Sequence, residues 1–395
     1  MGRRIAIIAY EFPVVSETFI VDHVVGIARR GWSPVLICDA LHRDGVAAAE
    51  ARCGLSLETY RPAPLRGAPH RTPARLAWLA AAAARSPRLL STRHGRAALV
   101  RAGGLVDVLR EARADVVHAH FGPNGVAAAL ALGGRTPLVV DFHGFDLTAF
   151  PRAAGWGLYR ETLRGAALVV HSEFAAKAVA TGLGVPVQRV TLGADPDLFH
   201  GGVRGERWSA PLRLLVVGRL VPEKGQAIAI RALDLLRRGS SPMDARLCIV
   251  GGGPQREKLE RLVRELRLEG AVEFTGPQPH AAVADEMASA DALLIPSIVG
   301  PDGEREAFGR VAVEGLAAGL PVVASAVGGL PEVVGEAGYL FTPGDPEALA
   351  RCVRDVLAQQ TPERCAATSR TRATAFSLER MWDEYEAVTS RAAHG

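Results

Sequence analysis

Four charged residues in the second half of the chain have the types and spacing to hold a sugar and a diphosphate side by side. Glu306 and Glu314 end the run Glu306-Ala-Phe-Gly-Arg-Val-Ala-Val-Glu314, while Arg219 and Lys224 lie upstream in Val217-Gly218-Arg219-Leu-Val-Pro-Glu-Lys224-Gly225. Ionised carboxylates accept hydrogen bonds from hydroxyls. A guanidinium can fork onto two phosphate oxygens, and an ammonium supplies a mobile point charge. Charge-assisted bonds of this kind contribute roughly 1.5–3 kcal/mol each. The chain has three lysines, at 177, 224 and 258, against 43 arginines, so a lysine five residues after Arg219 is informative. Gly218 stands where the chain leaves an apolar run, and a glycine there lets the backbone approach an anion closely. A loop salt bridge through Glu223 is the other use open to these cations.

The spacing of the two glutamates predicts a helix over 307–318, along which eight residues climb about 12 Å. Glu306 then sits at the helix entrance and Glu314 two turns in. The backbone N–H groups of Phe308, Gly309 and Arg310 fall at the positive end of the helix, which favours an anion. A sugar on Glu306, a diphosphate at the helix start and a ribose on Glu314 fit this geometry. Glu314 lies within the apolar run Val311-Ala-Val-Glu-Gly-Leu-Ala-Ala-Gly, where an unpaired carboxylate would be costly.

The elements that must position these residues alternate from end to end. Strands are expected at 4–9, 34–38, 115–119, 137–142, 168–171 and 187–191. A second set follows at 212–217, 245–250, 272–275, 292–295, 321–324 and 338–341. Amphipathic helical stretches separate them, among them 18–30, 123–132, 152–164 and 173–181. Continuous apolar strands suit parallel sheets covered on both faces. The pattern restarts after the polar, Gly-rich stretch 201–211, which implies two doubly wound α/β domains, at 1–200 and 201–376. An amphipathic tail helix over 377–395 carries Met381, Trp382, Tyr385 and Val388 on one side. Ligands of such sheets bind beyond the carboxyl ends of the strands. The loops at Gly218–Gly225, Gly251–Pro254 and Pro296–Glu306 all fall there.

In the first half, Asp115-Val-Val-His118-Ala-His120 brings two histidines to a strand end, and Asp141-Phe-His143-Gly-Phe-Asp146 brings a third. His120 is a candidate for acceptor contact, against a structural role as a satisfied buried histidine. Asp146 either orients His143 or caps the next helix. In Ser16-Glu17-Thr18-Phe19, Ser16 or Thr18 can cap the following helix and offer hydrogen bonds to an acceptor. Asp195-Pro-Asp197 has the outline of a metal-binding DxD but follows no donor strand, and is read as structural.

Composition narrows the class. With 48% hydrophobic, 22% charged and 6% aromatic residues the chain is globular. Its five cysteines are scattered and never spaced as CxxC, so neither a zinc site nor a disulfide framework is indicated. Residues 1–10 read as a first strand rather than a signal peptide, and no run approaches the ~18–20 apolar residues that span a bilayer. A cytoplasmic location is expected. Residues 61–101 carry nine arginines and no acid, interleaved with Leu76, Trp78, Leu79, Leu89, Leu90 and Leu99. They can lie peripherally on the anionic inner face of a membrane, or form a solvated helical face. No nucleic-acid-binding module accompanies this charge.

Gly218-Arg219 with Lys224-Gly225, the paired glutamates, Gly319-Leu-Pro-Val-Val-Ala and Gly328-Gly-Leu-Pro-Glu332 together resemble the family-4 retaining glycosyltransferases, across essentially the whole chain. The resemblance implies the GT-B fold: two Rossmann-like domains facing across a cleft, with the tail helix crossing back to the first. It also implies a nucleotide-sugar donor, UDP- or GDP-linked, from which a hexosyl-type group passes to an acceptor hydroxyl with retention. Arg219 and Lys224 would hold the diphosphate, with Gly218, Gly251 and the amides of Phe308–Val311 around it. Glu306 would hold the transferred sugar and Glu314 the ribose. His143 matches the family's His-Gly-x-Asp element and would face the reaction centre. The first loop departs from the family's usual glycine-rich sequence. Similar Ser-Glu-Thr-Phe starts occur in transferases of exopolysaccharide, capsule and lipid-linked sugars. No metal is expected, because Arg219, Lys224 and a helix end can neutralise a diphosphate. Transfer to a soluble metabolite such as an aminoglycoside precursor stays open, as do a nucleotide-sugar epimerase or hydrolase and a non-enzymatic sugar-binding protein. A dinucleotide oxidoreductase is disfavoured because Gly251-Gly-Gly-Pro lacks the GxGxxG spacing.

Overall fold

The computed structural model describes residues 2–62, 72–85, 88–202, 207–238 and 241–394, with the side chains of 72–76 and 85 left out. The chain forms two compact units, Met1–Thr191 with Glu379–Gly395, and Leu192–Leu378.

The first unit is built on a parallel sheet of seven described strands: β1 (Arg3–Phe12), β2 (Trp32–Leu41), β3 (Glu58–Tyr60), β4 (Val116–His120), β5 (Leu138–Asp141), β6 (Ala167–Val170) and β7 (Gln188–Arg189). Their order across the sheet is β3-β2-β1-β4-β5-β6-β7. Every residue of β4 and β5 is buried, as expected for strands covered on both faces by helices. The order reverses between β1 and β4, and at such a switch point the loops leaving two neighbouring strands part and open a crevice. The helix expected at 152–164 is instead two short ones, Ala149–Ala154 and Gly157–Thr162, broken where Gly155 adopts φ 76°. The short edge strand β3 was not anticipated, because its three residues are too few to show a period.

The second unit repeats the scheme with β8 (Leu212–Val217), β9 (Ala245–Val250), β10 (Val272–Gly276), β11 (Ala292–Ile295), β12 (Val322–Ser325) and β13 (Tyr339–Phe341), ordered β10-β9-β8-β11-β12-β13. Its core interleaves strand residues such as Leu214, Leu247 and Leu294 with Ile230, Leu233 and Leu236 of the helix Gln226–Arg238. The switch point here lies between β8 and β11.

The tail helix Leu378–His394 buries the stripe Met381, Trp382, Tyr385 and Val388. Within the first unit the Trp382 ring lies so close to Gly26 that any Cβ there would collide with it, and Trp382 Nε1 donates to the Asp22 carbonyl at 2.8 Å. Glycine at 26 is therefore a packing requirement. Tyr385 Oη donates to Asp141 Oδ2 at 2.6 Å, so the last helix reaches the carboxyl end of β5. Among the described residues, no helix is long and apolar enough to cross a membrane.

Candidate active site

At the switch point of the second unit the loop after β8 meets the loop after β11. Gly218 leaves β8 with its N–H donating to the Val250 carbonyl at 2.9 Å. Pro222–Lys224 form a single 3₁₀ turn that ends at Gly225 with φ 65°. A Cβ at 225 would strike the Pro296 carbonyl oxygen, so only glycine allows the two loops to approach this closely. The Ile298 N–H donates to the Glu223 carbonyl at 2.8 Å, joining the loops by backbone.

This contact brings the expected charges together. Lys224 Nζ donates to Glu306 Oε2 at 2.5 Å, their side chains 25% and 14% exposed. Arg219 is half exposed, with NH2 3.5 Å from Glu304 Oε1 and 3.7 Å from Glu223 Oε1. Burial, and then the Glu223 charge, push the Glu304 carboxyl above its usual range. The backbone of Glu306 is held by the Gly328–Gly329 turn: the Gly329 N–H donates to the Glu306 carbonyl at 2.9 Å, and a Cβ at 328 would overlap that oxygen. Gly251 lies against the Gly218 carbonyl, where a Cβ would likewise collide.

The helix after Glu306 starts later than expected. It runs Arg310–Ala317, with Gly309 at its N-cap in the left-handed region (φ 92°), so Phe308 and Gly309 precede it. Glycine at 309 breaks the helical pattern at the point where 307–318 was read as continuous. Glu314 is 6% exposed and receives two partners, His280 Nε2 at 2.9 Å and Arg310 Nε at 3.4 Å, both at Oε1. Its burial is compensated, as the apolar run around it requires. His280 was missed in the sequence, as was Ser297, whose Oγ lies 3.5 Å from Glu306 Oε2. Neither residue belongs to a recognisable spacing.

The first unit collects five histidines around one buried carboxylate. His118 and His120 end β4, Asp141 ends β5, His143 follows it, His171 follows β6, and His23 comes from the helix Thr18–Arg29. His171 places Nδ1 2.9 Å from the Val190 carbonyl and Nε2 2.9 Å from Asp141 Oδ1. Both nitrogens face acceptor oxygens. Burial alone would lower the His171 pKa, but the Asp141 charge outweighs it and raises it. Burial would likewise raise Asp141, yet His171 and His143 hold it well below the carboxylate range. Burial lowers His143 to about 3, so it is neutral near neutral pH.

His120 and Asp146 both serve the interior of the first unit. His120 does not offer its ring to an acceptor: it is wholly buried, bridging His23 Nδ1 and His143 Nε2 with 3.0 Å contacts at each nitrogen. Asp146 is also buried, and its carboxylate is consumed by the N–H groups of Gly122, His143 and Gly144 at 2.9, 3.0 and 2.8 Å. It fixes the backbone at His143 and accepts the first N–H of the helix Gly122–Leu132, not one of the helix that follows it. Burial pushes its carboxyl up to about 6 against those donors. Ser16 is exposed, and Glu17 rather than Ser16 or Thr18 is the N-cap residue of the helix from Thr18, with no side-chain cap bond. The member of that run that reaches His143 is Phe19, stacked on it at 4.2 Å. Asp195 Oδ1 accepts the Asp197 N–H at 3.0 Å, a local turn consistent with a structural Asp-Pro-Asp.

Of the nine arginines at 61–101, the side chains of Arg66, Arg71, Arg75 and Arg85 lie outside the described residues. Arg101 pairs with Asp39, bonds Asn124 Oδ1 and covers the Tyr10 ring, so it serves the protein interior. Arg61, Arg88, Arg93 and Arg96 are exposed.

Two parallel Rossmann-like units with charge clusters at their switch points define the GT-B class. Residues 207–372 match the family Glycosyl transferases group 1, and residues 16–198 match Glycosyltransferase Family 4. The chain is 29% identical over 371 residues to the putative colanic acid biosynthesis glycosyltransferase WcaL of Salmonella typhimurium, covering 88% of this chain and 89% of the relative. It is 34% identical over 274 residues to the GDP-mannose-dependent alpha-(1-6)-phosphatidylinositol monomannoside mannosyltransferase of Mycolicibacterium smegmatis, covering 62% and 68%. In fold it is similar to Anabaena HepE in complex with UDP-glucose, at a TM-score of 0.73 and 21% identity, covering 99% of this chain and all of that one. The chain belongs to the family-4-type glycosyltransferases of the GT-B fold.

Proposed function

We propose that the protein is a retaining glycosyltransferase that moves a hexosyl-type group from a UDP- or GDP-sugar to an acceptor hydroxyl in polysaccharide or glycolipid assembly. The observation that carries this reading is the Lys224–Glu306 pair with Arg219 on the same β8 loop. It places two cations and a hydroxyl-binding carboxylate at one switch point, where nucleotides bind in doubly wound sheets. In transfer, negative charge grows on the β-phosphate as the glycosidic bond breaks. Fixed cations there stabilise the transition state more than the ground state. Glu306 accepts hydroxyls of the transferred sugar. Glu314, oriented by His280 and Arg310, accepts the ribose hydroxyls, and Gly218, Gly251 and the backbone of Phe308, Gly309 and Arg310 line the phosphates. The β-phosphate oxygen that leaves takes the acceptor proton on the same face, so configuration is retained and no metal enters at the diphosphate. His143 is a further candidate for the reaction, a neutral imidazole at the carboxyl end of the first unit's sheet.

The similarity to a colanic acid enzyme and to a phosphatidylinositol mannoside enzyme supports a saccharide or lipid-linked acceptor. The exposed Arg88, Arg93 and Leu90 support peripheral contact with an anionic membrane. A thermal-shift panel of UDP- and GDP-sugars tests the donor assignment, since a ligand of the folded state raises the melting point. Failure of every nucleotide sugar to do so would reject it.

A further inference from the structure

The histidine cluster of the first unit has the ligand set and spacing of a transition-metal site. We propose that His120 Nδ1, Asp141 Oδ2 and His143 Nε2 bind one divalent first-row metal ion, zinc in the first instance. The separations are 3.0 Å between the His120 and His143 nitrogens, and 3.6 and 3.7 Å from these to Asp141 Oδ2. Ligands bonded to zinc at about 2.0–2.1 Å in a tetrahedron lie about 3.3–3.4 Å apart, so these edges bracket the required value.

A further feature points the same way. The outer contacts are those of a metal centre. Tyr385 Oη holds Asp141 Oδ2 at 2.6 Å, His171 Nε2 lies 2.9 Å from Oδ1, and the second nitrogen of His120 meets His23 at 3.0 Å. Imidazole and carboxylate donors select zinc and its neighbours over calcium or magnesium, which take oxygen ligands. No spacing motif announces the site, because the three ligands come from two strands and the loop beyond.

The experiment uses the full chain without donor or acceptor, so its outcome is separate from that of glycosyl transfer. Protein from zinc-supplemented cells is assayed for metal, stripped with chelator and titrated with Zn²⁺ and Co²⁺. Expected are about one ion per chain, a melting point lowered by stripping and restored by Zn²⁺, and the visible absorption of tetrahedral Co²⁺. Asp141→Asn and His143→Asn should weaken Zn²⁺ binding by more than ~100-fold, and Tyr385→Phe by the ~10–100-fold typical of an outer partner. His143 lies at the rim of the cluster, so its variant covers the case in which Asp141→Asn does not fold. A wild-type protein that neither retains nor takes up Zn²⁺ or Co²⁺ overturns the proposal. So does binding of equal affinity in His143→Asn, which would place the ion elsewhere.

Discussion

Lys224→Ala separates the two uses of the ammonium at 224. In the folded chain Nζ lies 2.5 Å from Glu306 Oε2, and both side chains are mostly shielded from water. A charge-assisted bond of this kind contributes ~1.5–3 kcal/mol net, and truncating one partner leaves a half-buried carboxylate behind. The variant should therefore lose ~1–3 kcal/mol of stability, read as a melting point lowered by several degrees, at ~2–4 °C per kcal/mol for a unit of this size. Donor binding loses a phosphate contact of the same ~1.5–3 kcal/mol, but wild-type Lys224 must share its charge with Glu306. The net expectation is nucleotide affinity weakened ~10–100-fold, at about 1.4 kcal/mol per tenfold. Turnover should fall at least ~10²-fold, the usual cost of removing one donor to a developing anion. Calorimetric titration of the full chain with UDP and GDP reads the affinity, and release of nucleotide from the matching sugar donor reads the turnover. Arg219→Ala is the internal contrast. Its side chain is 52% exposed and its carboxylate contacts are 3.5 and 3.7 Å, so it should leave the stability within ~0.5 kcal/mol of wild type while lowering turnover comparably. A Lys224→Ala protein that binds nucleotide and turns over within a few-fold of wild type would refute the assignment of both cations.

Other outcomes follow from packing and from the second carboxylate. Gly328→Ala places a methyl group on the Glu306 carbonyl oxygen at a backbone with φ 61°; a soluble variant should show donor affinity reduced well beyond its loss in melting point, and unchanged affinity would count against the turn as the support of Glu306. Glu314→Gln keeps the shape but removes the charge facing His280 and Arg310; it should raise the donor KM more than it lowers kcat, since ribose contacts are made in ground and transition states alike. Gly26→Ala must displace the Trp382 ring and should cost ~1–3 kcal/mol by denaturant unfolding, with a wild-type midpoint indicating that the tail helix does not seat there. Sedimentation with anionic liposomes at low salt should carry the protein down and release it as salt rises, and absence of binding removes the membrane role of Arg88 and Arg93.

Most of the second unit was legible in the sequence because its signals are local. An apolar run ending in glycine marks a strand exit, as at Val217-Gly218, and Lys224 stands out through its rarity. Two carboxylates eight residues apart flank a helix start, although only Glu314 lies on the helix itself. The one local error, the helix start, came from Gly309, whose left-handed conformation interrupts a pattern that apolar spacing shows as continuous.

What tertiary structure decided is who stands beside whom. Lys224 and Glu306 meet because β8 and β11 are neighbours at the switch point and Gly225 lets their loops touch, a consequence of strand order that no window of sequence contains. His120 was a candidate for acceptor contact, with a satisfied buried histidine as the alternative. The helix from Thr18, β5, the loop after β6 and the tail helix close over it instead. Residue type and period are written along the chain, whereas burial and charge pairing arise only when segments far apart in sequence share one low-dielectric volume. That is why the cations and carboxylates of the second unit could be singled out from their spacing, and the cluster of five imidazoles around Asp141 could not.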